Sequence, residues 1–212
     1  IILTSEELEL VQEHCDRYIR NMVLDYHNTV RAELDRIDAI ILPEQRTPEW
    51  FVQRSKIISA SDVAYACHIT NNSDYERTLY KKIGVLWDYA IGNAAIHGTI
   101  FEVVTQEIYE LRYGVFIKEY GCLQHKEDEF IGASPDGIVH DINDSTNLDQ
   151  LCLLGRMIEI KNPYSRKIID VIKPEYEYQM QTQLEVADLH ICDFIESEIK
   201  SFCTTFNEFF NE

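Results

Sequence analysis

The chain has 212 residues, of which 45% are hydrophobic and 26% are charged, a composition typical of a soluble globular protein with one sizeable domain. No apolar run approaches the roughly 20 residues that a membrane-spanning helix needs, so we expect no membrane partner. The formal net charge of −18 argues against a broad nucleic-acid-binding surface. Residues 1–45 carry ten acids and four bases, and residues 185–212 carry seven acids and one base. Any nucleic-acid surface must therefore be local.

The cysteines and the N-terminal residues indicate the cellular compartment in which the protein is expected. The six cysteines are scattered and none forms a C-x-x-C pair, which favours reduced thiols over disulfides, a zinc ribbon or an iron–sulfur cluster. The chain begins "IILTSEELEL", without the basic region of a signal peptide. We therefore expect an intracellular protein, and the missing Met suggests an excerpt of a longer chain.

Residues 4–39 are predicted to form a long helix. Thr4 or Ser5 is placed to cap its start, Glu7 completes a capping box, and apolar residues recur at helical spacing between residues 8 and 22. Pro43 and Pro48 bracket a linker. We therefore divide the chain into an N-terminal helical extension, residues 1–45, and a domain spanning residues 46–212.

The remaining segments mix helices and strands. The stretch "EWFVQRSKIISASDVAYACHI" predicts a short helix capped at Ser61-Asp62, and a second helical block covers residues 86–113 and ends at Gly114. Three strand-like pieces follow, "VFIKEYGCLQ", "EFIGASPDGIVHD" and "LCLLGRMIEIKNP", before a helix from Pro174 and a last strand, "HICDFIESEI". The adjacent strands predict a meander, and the late helix allows a crossover to a parallel strand.

The stretch "MIEIKNP" places an acid and a base on one face of a predicted strand. Because side chains alternate along a strand, Glu159 and Lys161 share one side, while Ile158 and Ile160 take the other. An ordinary ion pair on a solvated edge is one interpretation. The other is a metal-binding carboxylate beside a lysine that acts on a nucleophilic water.

A second carboxylate favours the metal interpretation. Asp136 sits in "GASPDGIV", where Pro-Asp-Gly alone predicts only a turn. Pro135-Asp136 and Glu159-x-Lys161 together have the spacing P-D…E-x-K, which would bring two carboxylates from neighbouring strands to one divalent cation. The carbonyl oxygen of Ile160 could add a further ligand. A bound cation would activate water and neutralise charge on phosphate, and Lys161 would position or deprotonate that water.

Two helical segments contribute further candidates. In "HGTIFEVV", Glu102 has apolar neighbours on both sides, which makes an idle carboxylate costly, although a solvated glutamate remains an alternative. In "YEYQMQTQLEV", Gln179, Gln181 and Gln183 are spread around the helix, so at most one or two of them can face a site.

These motifs occur in an order that resembles a known family. The segments "WFVQRSKIISASDV", "HGTIFE", "GASPDGIV", "EIKNP" and "YEYQMQTQLEV", over roughly residues 46–200, resemble the YqaJ-type viral recombinases. This lambda exonuclease-like family belongs to the PD-(D/E)xK nuclease superfamily. The resemblance implies an α/β (α+β) fold with a restriction-endonuclease-like core, in which helices flank a central mixed β-sheet.

The resemblance also implies roles for individual residues. The metal-side carboxylates would be Glu102, Asp136 and Glu159, and Lys161 would be catalytic. The Ile160 carbonyl proposed from the strand completes the ligand set, with one or two Mg²⁺ or Mn²⁺ ions as cofactor. The implied roles outside the metal site come from two further motifs. Gln181 matches a glutamine beside the family's active site, and the implied contacts to a terminal 5′-phosphate are Arg54, Ser59, Ser61 and Ser134.

The residues themselves support a phosphate pocket. Arg54 has a planar fork suited to phosphate oxygens, and Ser59 and Ser61 face the same way in an extended segment. Ser61 precedes Asp62 at the predicted helix start, where free backbone N–H groups attract anions. A surface arginine before a strand is the alternative.

Three functions remain open on the sequence. The first is a metal-dependent DNA exonuclease that digests linear duplex from the 5′ end and leaves a 3′ overhang for recombination or repair. The second is a structure- or site-directed endonuclease of the same superfamily, and the third is a non-catalytic DNA-end or protein-interaction module. The expected partners are double-stranded DNA ends, a single-strand annealing recombinase and further copies of the chain, in the host cytoplasm or nucleus if the source is viral.

Overall fold

A long helix begins the fold in the computed structural model, which describes residues 4–45, 47–85 and 92–199. Helix α1 spans Ser5–Asp38 and starts at the predicted capping box: the Thr4 hydroxyl accepts from the Glu7 N–H, and the Glu7 carboxylate accepts from the Thr4 N–H at 2.8 Å. The apolar residues between positions 8 and 22 are exposed. The buried residues of α1 lie toward its C-terminal end and are Val30, Leu34 and Ile37.

Asp38, the last residue of α1, forms side-chain contacts with residues from the second half of the chain. Its carboxylate accepts hydrogen bonds from Lys118 and Tyr120, both at 2.7 Å, and contacts the His140 ring at 2.8 Å. Burial alone would raise the pKa of Asp38, but these hydrogen bonds outweigh burial and lower the pKa to about 2. The end of α1 shares a hydrophobic cluster with residues from the second half of the chain. The domain division at residue 45 stays a prediction.

Short elements follow the linker. Helix α2 spans Pro48–Ser55, strand β1 Ile58–Ser59, helix α3 Ala60–Ala66 and helix α4 Asn72–Lys82. The predicted cap at Ser61-Asp62 is wrong by two residues, since Ser59 is the N-cap of α3. Ser59 is still extended because it belongs to β1, and the chain turns into the helix directly after it.

Helix α5 spans Asn93–Tyr113 and ends where the sequence predicts. Gly114 is its C-cap in the left-handed conformation, with φ of 65°. A side chain there would be strained, and its Cβ would lie 2.8 Å from the Gln150 amide nitrogen. Residues 86–91 of the predicted helical block lie outside the described residues.

The strands of the second half divide more finely than the sequence predicts. They are β2 Val115–Lys118, β3 Leu123–Gln124, β4 Ile131–Ala133, β5 Gly137–Ile142, β6 Met157–Lys161 and β7 Cys192–Glu196, with helix α6 Leu148–Leu151 before β6 and helix α7 Pro174–Ala187 after it. The first two predicted pieces each form two strands. The Pro135-Asp136 turn accounts for the break between β4 and β5 because Pro cannot donate to a strand ladder.

Two mixed sheets result. In one, the order is β1-β4-β3, with β1 parallel and β3 antiparallel to β4. In the other, the order is β2-β5-β6-β7, with β2, β5 and β6 antiparallel and β7 parallel to β6. The predicted crossover through α7 is confirmed, the meander holds for β2, β5 and β6, and the mixed α/β class is confirmed.

Strand β6 has a covered surface on each side. Met157 belongs to a hydrophobic cluster with Val186 of α7, whereas Ile158 and Ile160 belong to a cluster with Tyr109 of α5. The odd-numbered residues of β6 therefore face α7.

Two further facts concern the described part of the chain. No helix in it is both long and apolar enough to cross a membrane. Its cysteines are free thiols, at Cys15, Cys67, Cys122, Cys152 and Cys192.

Candidate active site

Glu159 is the most enclosed charged residue of the candidate site. Its side chain has no exposed surface, and its two carboxylate oxygens are shared among three donors. Lys161 donates to Oε1, Gln179 also donates to Oε1 at 2.8 Å, and Gln183 donates to Oε2 at 2.8 Å. A buried carboxylate needs such partners, so the strand residue and the helix residues stabilise one another.

Gln181 is not one of the helix residues that contact Glu159, and its expected role beside the site stays a prediction. The structure leaves Gln181 exposed and brings Gln179 and Gln183 to Glu159 instead. Residues four apart lie on the same face of a helix, whereas a residue midway between them points to the opposite side. The expectation that at most two of the three glutamines face the site agrees with this arrangement. The i, i+4 spacing was the available signal for Gln183.

Asp136 lies beside the same end of β6. Its Oδ2 accepts a hydrogen bond from the Ile160 N–H at 2.7 Å. Burial raises the pKa of the Asp136 carboxyl well above its usual value, and the negative charges of Glu159 and Glu102 raise it further. The positive charge of Lys161 and the Ile160 hydrogen bond only partly oppose this effect.

Lys161 is held in its charged form. Burial works against the ammonium, but the neighbouring Glu159 and Asp136 outweigh burial and raise the pKa of Lys161. The amine also lies 5.2 Å from the centre of the Tyr176 ring. Lys161 is therefore suited to donating hydrogen bonds and positive charge.

A cleft of about 530 Å³ opens beside these residues. Its lining includes Glu102, Asp136, Ile160 and Lys161, whereas the Glu159 side chain is fully buried. Glu102 comes from α5 and is half-buried. Helix α5, the turn before β5 and the end of β6 thus bring four of the ten predicted site residues to one cavity.

The donor chemistry fits a divalent cation. Within the described residues, no three His, Cys, Asp or Glu side chains are arranged to hold a metal ion. However, the cleft is lined by Asp136 and Glu102, whose carboxylates carry the hard oxygen atoms that Mg²⁺ prefers, and by Ile160, whose backbone carbonyl carries another. A cation would also offset the burial and repulsion that raise the pKa of Asp136. The ligand set of Glu102, Asp136, Glu159 and Ile160 stays a prediction.

A second polar cluster forms where α2, β1 and α3 meet. The Arg54 guanidinium donates to the hydroxyls of Ser59 at 3.1 Å and Ser61 at 3.4 Å, and it lies 4.5 Å above the ring of Trp50. The structure therefore brings together three of the four residues expected to contact a terminal phosphate. Arg54 is half-buried and Ser61 is exposed, so an anion could reach both.

Two residues that were not predicted to contact phosphate, Asp62 and Lys82, complete this cluster. The buried carboxylate of Asp62 accepts from Ser59 at 2.5 Å and pairs with Lys82 at 2.7 Å. Although burial raises the pKa of Asp62, the charges of Lys82 and Lys81 outweigh it and lower the pKa. Lys82 lies 20 residues after Asp62 and belongs to none of the sequence motifs, so its pairing with Asp62 could be found only from the fold.

Ser134 is the fourth residue expected to contact a terminal phosphate. It lies two residues before Asp136, at the end of β4, which pairs with β1. The Ser134 hydroxyl is buried and has no hydrogen-bond partner within the described residues. Burial raises the pKa of the nearby Cys122 thiol, and the charge of Arg54 acts in the opposite direction.

Comparison with known proteins is consistent with this geometry. Residues 49–190 match the family model described as the YqaJ-like viral recombinase domain. An uncharacterized protein of Acanthamoeba polyphaga mimivirus is 31% identical over 200 residues, which cover 89% of this chain and 36% of that protein. A protein of African swine fever virus (isolate Tick/Malawi/Lil 20-1/1983) is 25% identical over 163 residues, covering 68% and 47%. The chain thus spans less than half the length of these relatives.

Solved structures with a similar fold include an alkaline exonuclease, LHK-Exo, from Laribacter hongkongensis. The TM-score is 0.54 at 27% identity, over 72% of this chain and 74% of that chain. A crystal structure of LHK-Exo in complex with dAMP gives a TM-score of 0.53 at 26% identity with the same coverage.

Proposed function

Because the chain belongs to the YqaJ-like viral recombinase domain family, we propose that it is a divalent-metal-dependent deoxyribonuclease that digests linear duplex DNA from the 5′ end. The product would be a 3′ overhang, the substrate for recombination or repair. The observation that carries the proposal is the convergence of Asp136, Glu102 and the ammonium of Lys161 on one cleft. The similarity to an alkaline exonuclease supports the same reaction class.

Each residue has a task that its environment supports. Asp136, Glu102, Glu159 and the Ile160 carbonyl would hold Mg²⁺ or Mn²⁺, which supplies an activated water and neutralises charge on the phosphate. Lys161, charged and next to the cleft, would donate to the phosphate oxygens as negative charge develops on them. Gln179 and Gln183 would act only by orienting Glu159.

The Arg54 cluster supports the choice of an exonuclease with a 5′-phosphate preference. A guanidinium flanked by two hydroxyls is suited to a phosphate group with several free oxygens, which occurs at a strand end. An endonuclease would gain nothing from such a pocket. A single-strand annealing recombinase and other copies of the chain are the partners we propose for the overhang and the assembly.

The test compares three forms of one duplex, with Mg²⁺ or with EDTA: linear with a 5′-phosphate, linear with a 5′-hydroxyl, and covalently closed circular. We expect digestion only with Mg²⁺, fastest for the 5′-phosphorylated linear form and absent for the circle. Arg54→Ala should remove most of the advantage of the phosphate while slow cutting remains. Arg20→Ala, an exposed position on α1, serves as the matched loss of one arginine and should change nothing.

Other outcomes would favour a different function. Cutting of the closed circle would favour an endonuclease, and end binding without cutting under any condition would favour a non-catalytic module. Equal rates on both linear forms would eliminate the phosphate pocket. Digestion that continues in EDTA would eliminate the metal.

A further inference from the structure

The rim of the cleft carries an aromatic side chain that the proposed chemistry does not use. Tyr164 lies in the loop between β6 and α7, three residues after Lys161, and lines the same cleft as Asp136 and Glu102. Its side chain is 57% exposed, so the ring does not serve the hydrophobic core. An exposed ring beside reactive groups is available to a ligand.

The Tyr164 ring is nevertheless held in place from helix α5. The His97 ring contacts it edge-on, with ring centres 5.5 Å apart and planes at 71°, and His97 in turn packs on Phe101 at 4.6 Å. His97 Nδ1 lies 3.2 Å from the carbonyl oxygen of Asn162, and Thr105 donates to the Asn162 side chain at 2.8 Å. The start of the loop is therefore fixed before any ligand arrives.

Positive charge accompanies this ring. Lys161, Arg166 and Lys173 all line the cleft. Lys161 and Lys173 lie 5.2 and 5.7 Å from the centre of the Tyr176 ring on α7. Proteins that bind single-stranded nucleic acid without sequence preference combine cations, which contact the phosphates, with exposed aromatic rings, on which bases stack. Any base can stack in this way because every base has a π-face. The cleft volume is also within the range that accommodates small organic ligands.

We propose that Tyr164, supported by His97, is a stacking platform for the base of the nucleotide at the cleft. The platform rests on the proposed nuclease function, since it would hold the terminal nucleotide while its phosphodiester bond is cut. Stacking on an aromatic ring contributes about 1–3 kcal/mol per base, which corresponds to roughly 5- to 150-fold in affinity. It discriminates little between bases, as digestion of any sequence requires.

The test measures binding, so that its result does not depend on catalysis. Isothermal titration calorimetry in EDTA would compare deoxyadenosine 5′-monophosphate with 2-deoxyribose 5-phosphate, which lacks the base. We expect the wild-type chain to bind the nucleotide at least about fivefold more tightly than the sugar phosphate. Tyr164→Ala should bind the two equally, and Tyr164→Phe, which keeps the ring, should retain the preference.

The outcomes separate the platform from the proposed function. Equal affinity of the wild type for both ligands, or an undiminished preference in Tyr164→Ala, would overturn the platform whatever the nuclease assay shows. A ring-dependent preference in a chain that digests no DNA would overturn the nuclease function and leave a nucleotide-binding site. Loss of the preference in Tyr164→Phe would show that the hydroxyl, and not the ring face, binds the nucleotide.

Discussion

Replacement of Glu159 by Gln tests whether the contacts of the buried carboxylate with helix α7 and Lys161 stabilise the fold. The wild-type carboxylate has no exposed surface and accepts from Lys161, Gln179 and Gln183. A glutamine has one acceptor oxygen, so its amino group would face at least one of these donors, and the Lys161 ammonium would lose its closest counter-charge. Removing one partner of a buried ion pair costs about 3–5 kcal/mol. The Lys161 side chain is 25% exposed and lies near the negative charge of Asp136. We therefore expect a loss at the lower end of this range, about 3 kcal/mol.

Equilibrium unfolding in urea at pH 7 with EDTA measures this loss without any metal contribution. Glu177→Gln is the matched control, since Glu177 is an exposed residue of α7 and its replacement should change the free energy of unfolding by no more than about 0.5 kcal/mol. A loss below 1 kcal/mol for Glu159→Gln, with an unchanged dependence on urea, would refute the idea that this contact stabilises the fold. Activity lost in Glu159→Gln must therefore be compared with its stability before it is attributed to metal binding.

Two further predictions concern carboxyl groups with shifted pKa values. In EDTA, Asp136→Asn should raise the melting temperature at pH 8 but not at pH 3, because a carboxyl with a raised folded-state pKa stabilises the fold below its unfolded pKa and loses that contribution as the pH rises through the folded value. A lower melting temperature at pH 8 would contradict this reasoning. Asp38→Asn should cost about 2 kcal/mol at pH 7, measured by urea unfolding, since the pKa of Asp38 falls from 3.8 to about 2 and its side chain is only 28% exposed. The lowered pKa makes this contribution present above pH 3.8 and lost as the pH falls toward 2, so a cost that persists at pH 2 would contradict it.

The sequence predicted those elements whose ends have local chemical signals. The capping box at Thr4 and Glu7 marks the start of α1, and Gly114 marks the end of α5. Pro174 marks the start of α7 in the same way. The division of the strand pieces into two sheets had no such signal. Contacts between residues far apart in the sequence had no local signal either, such as the one at Gly121, where a Cβ atom would lie 2.6 Å from the Pro43 carbonyl oxygen.

The site was predictable where its residues lie on one strand or one turn. The alternation of β6 places Glu159 and Lys161 on one face, and the turn after β4 brings Asp136 beside Ile160. Partners from distant elements were not predictable, because the rotation of α7 and the approach of α4 depend on packing. For that reason a family motif indicated Gln181, whereas the packed helix presents Gln183.

The net charge of −18 is compatible with the proposed DNA substrate because Lys161, Arg166 and Lys173 are gathered at one cleft. Of the 37 acids, 17 belong to residues 1–45 and 185–212. The cleft cations Arg166 and Lys161 are each paired with a carboxylate, Glu196 and Glu159, which fixes their direction. A protein that holds a strand end needs only the few phosphate contacts that such fixed cations provide, and repulsion elsewhere would disfavour binding along the duplex. If the proposed function is correct, we expect the acidic surface to favour binding at a DNA end over binding along the duplex.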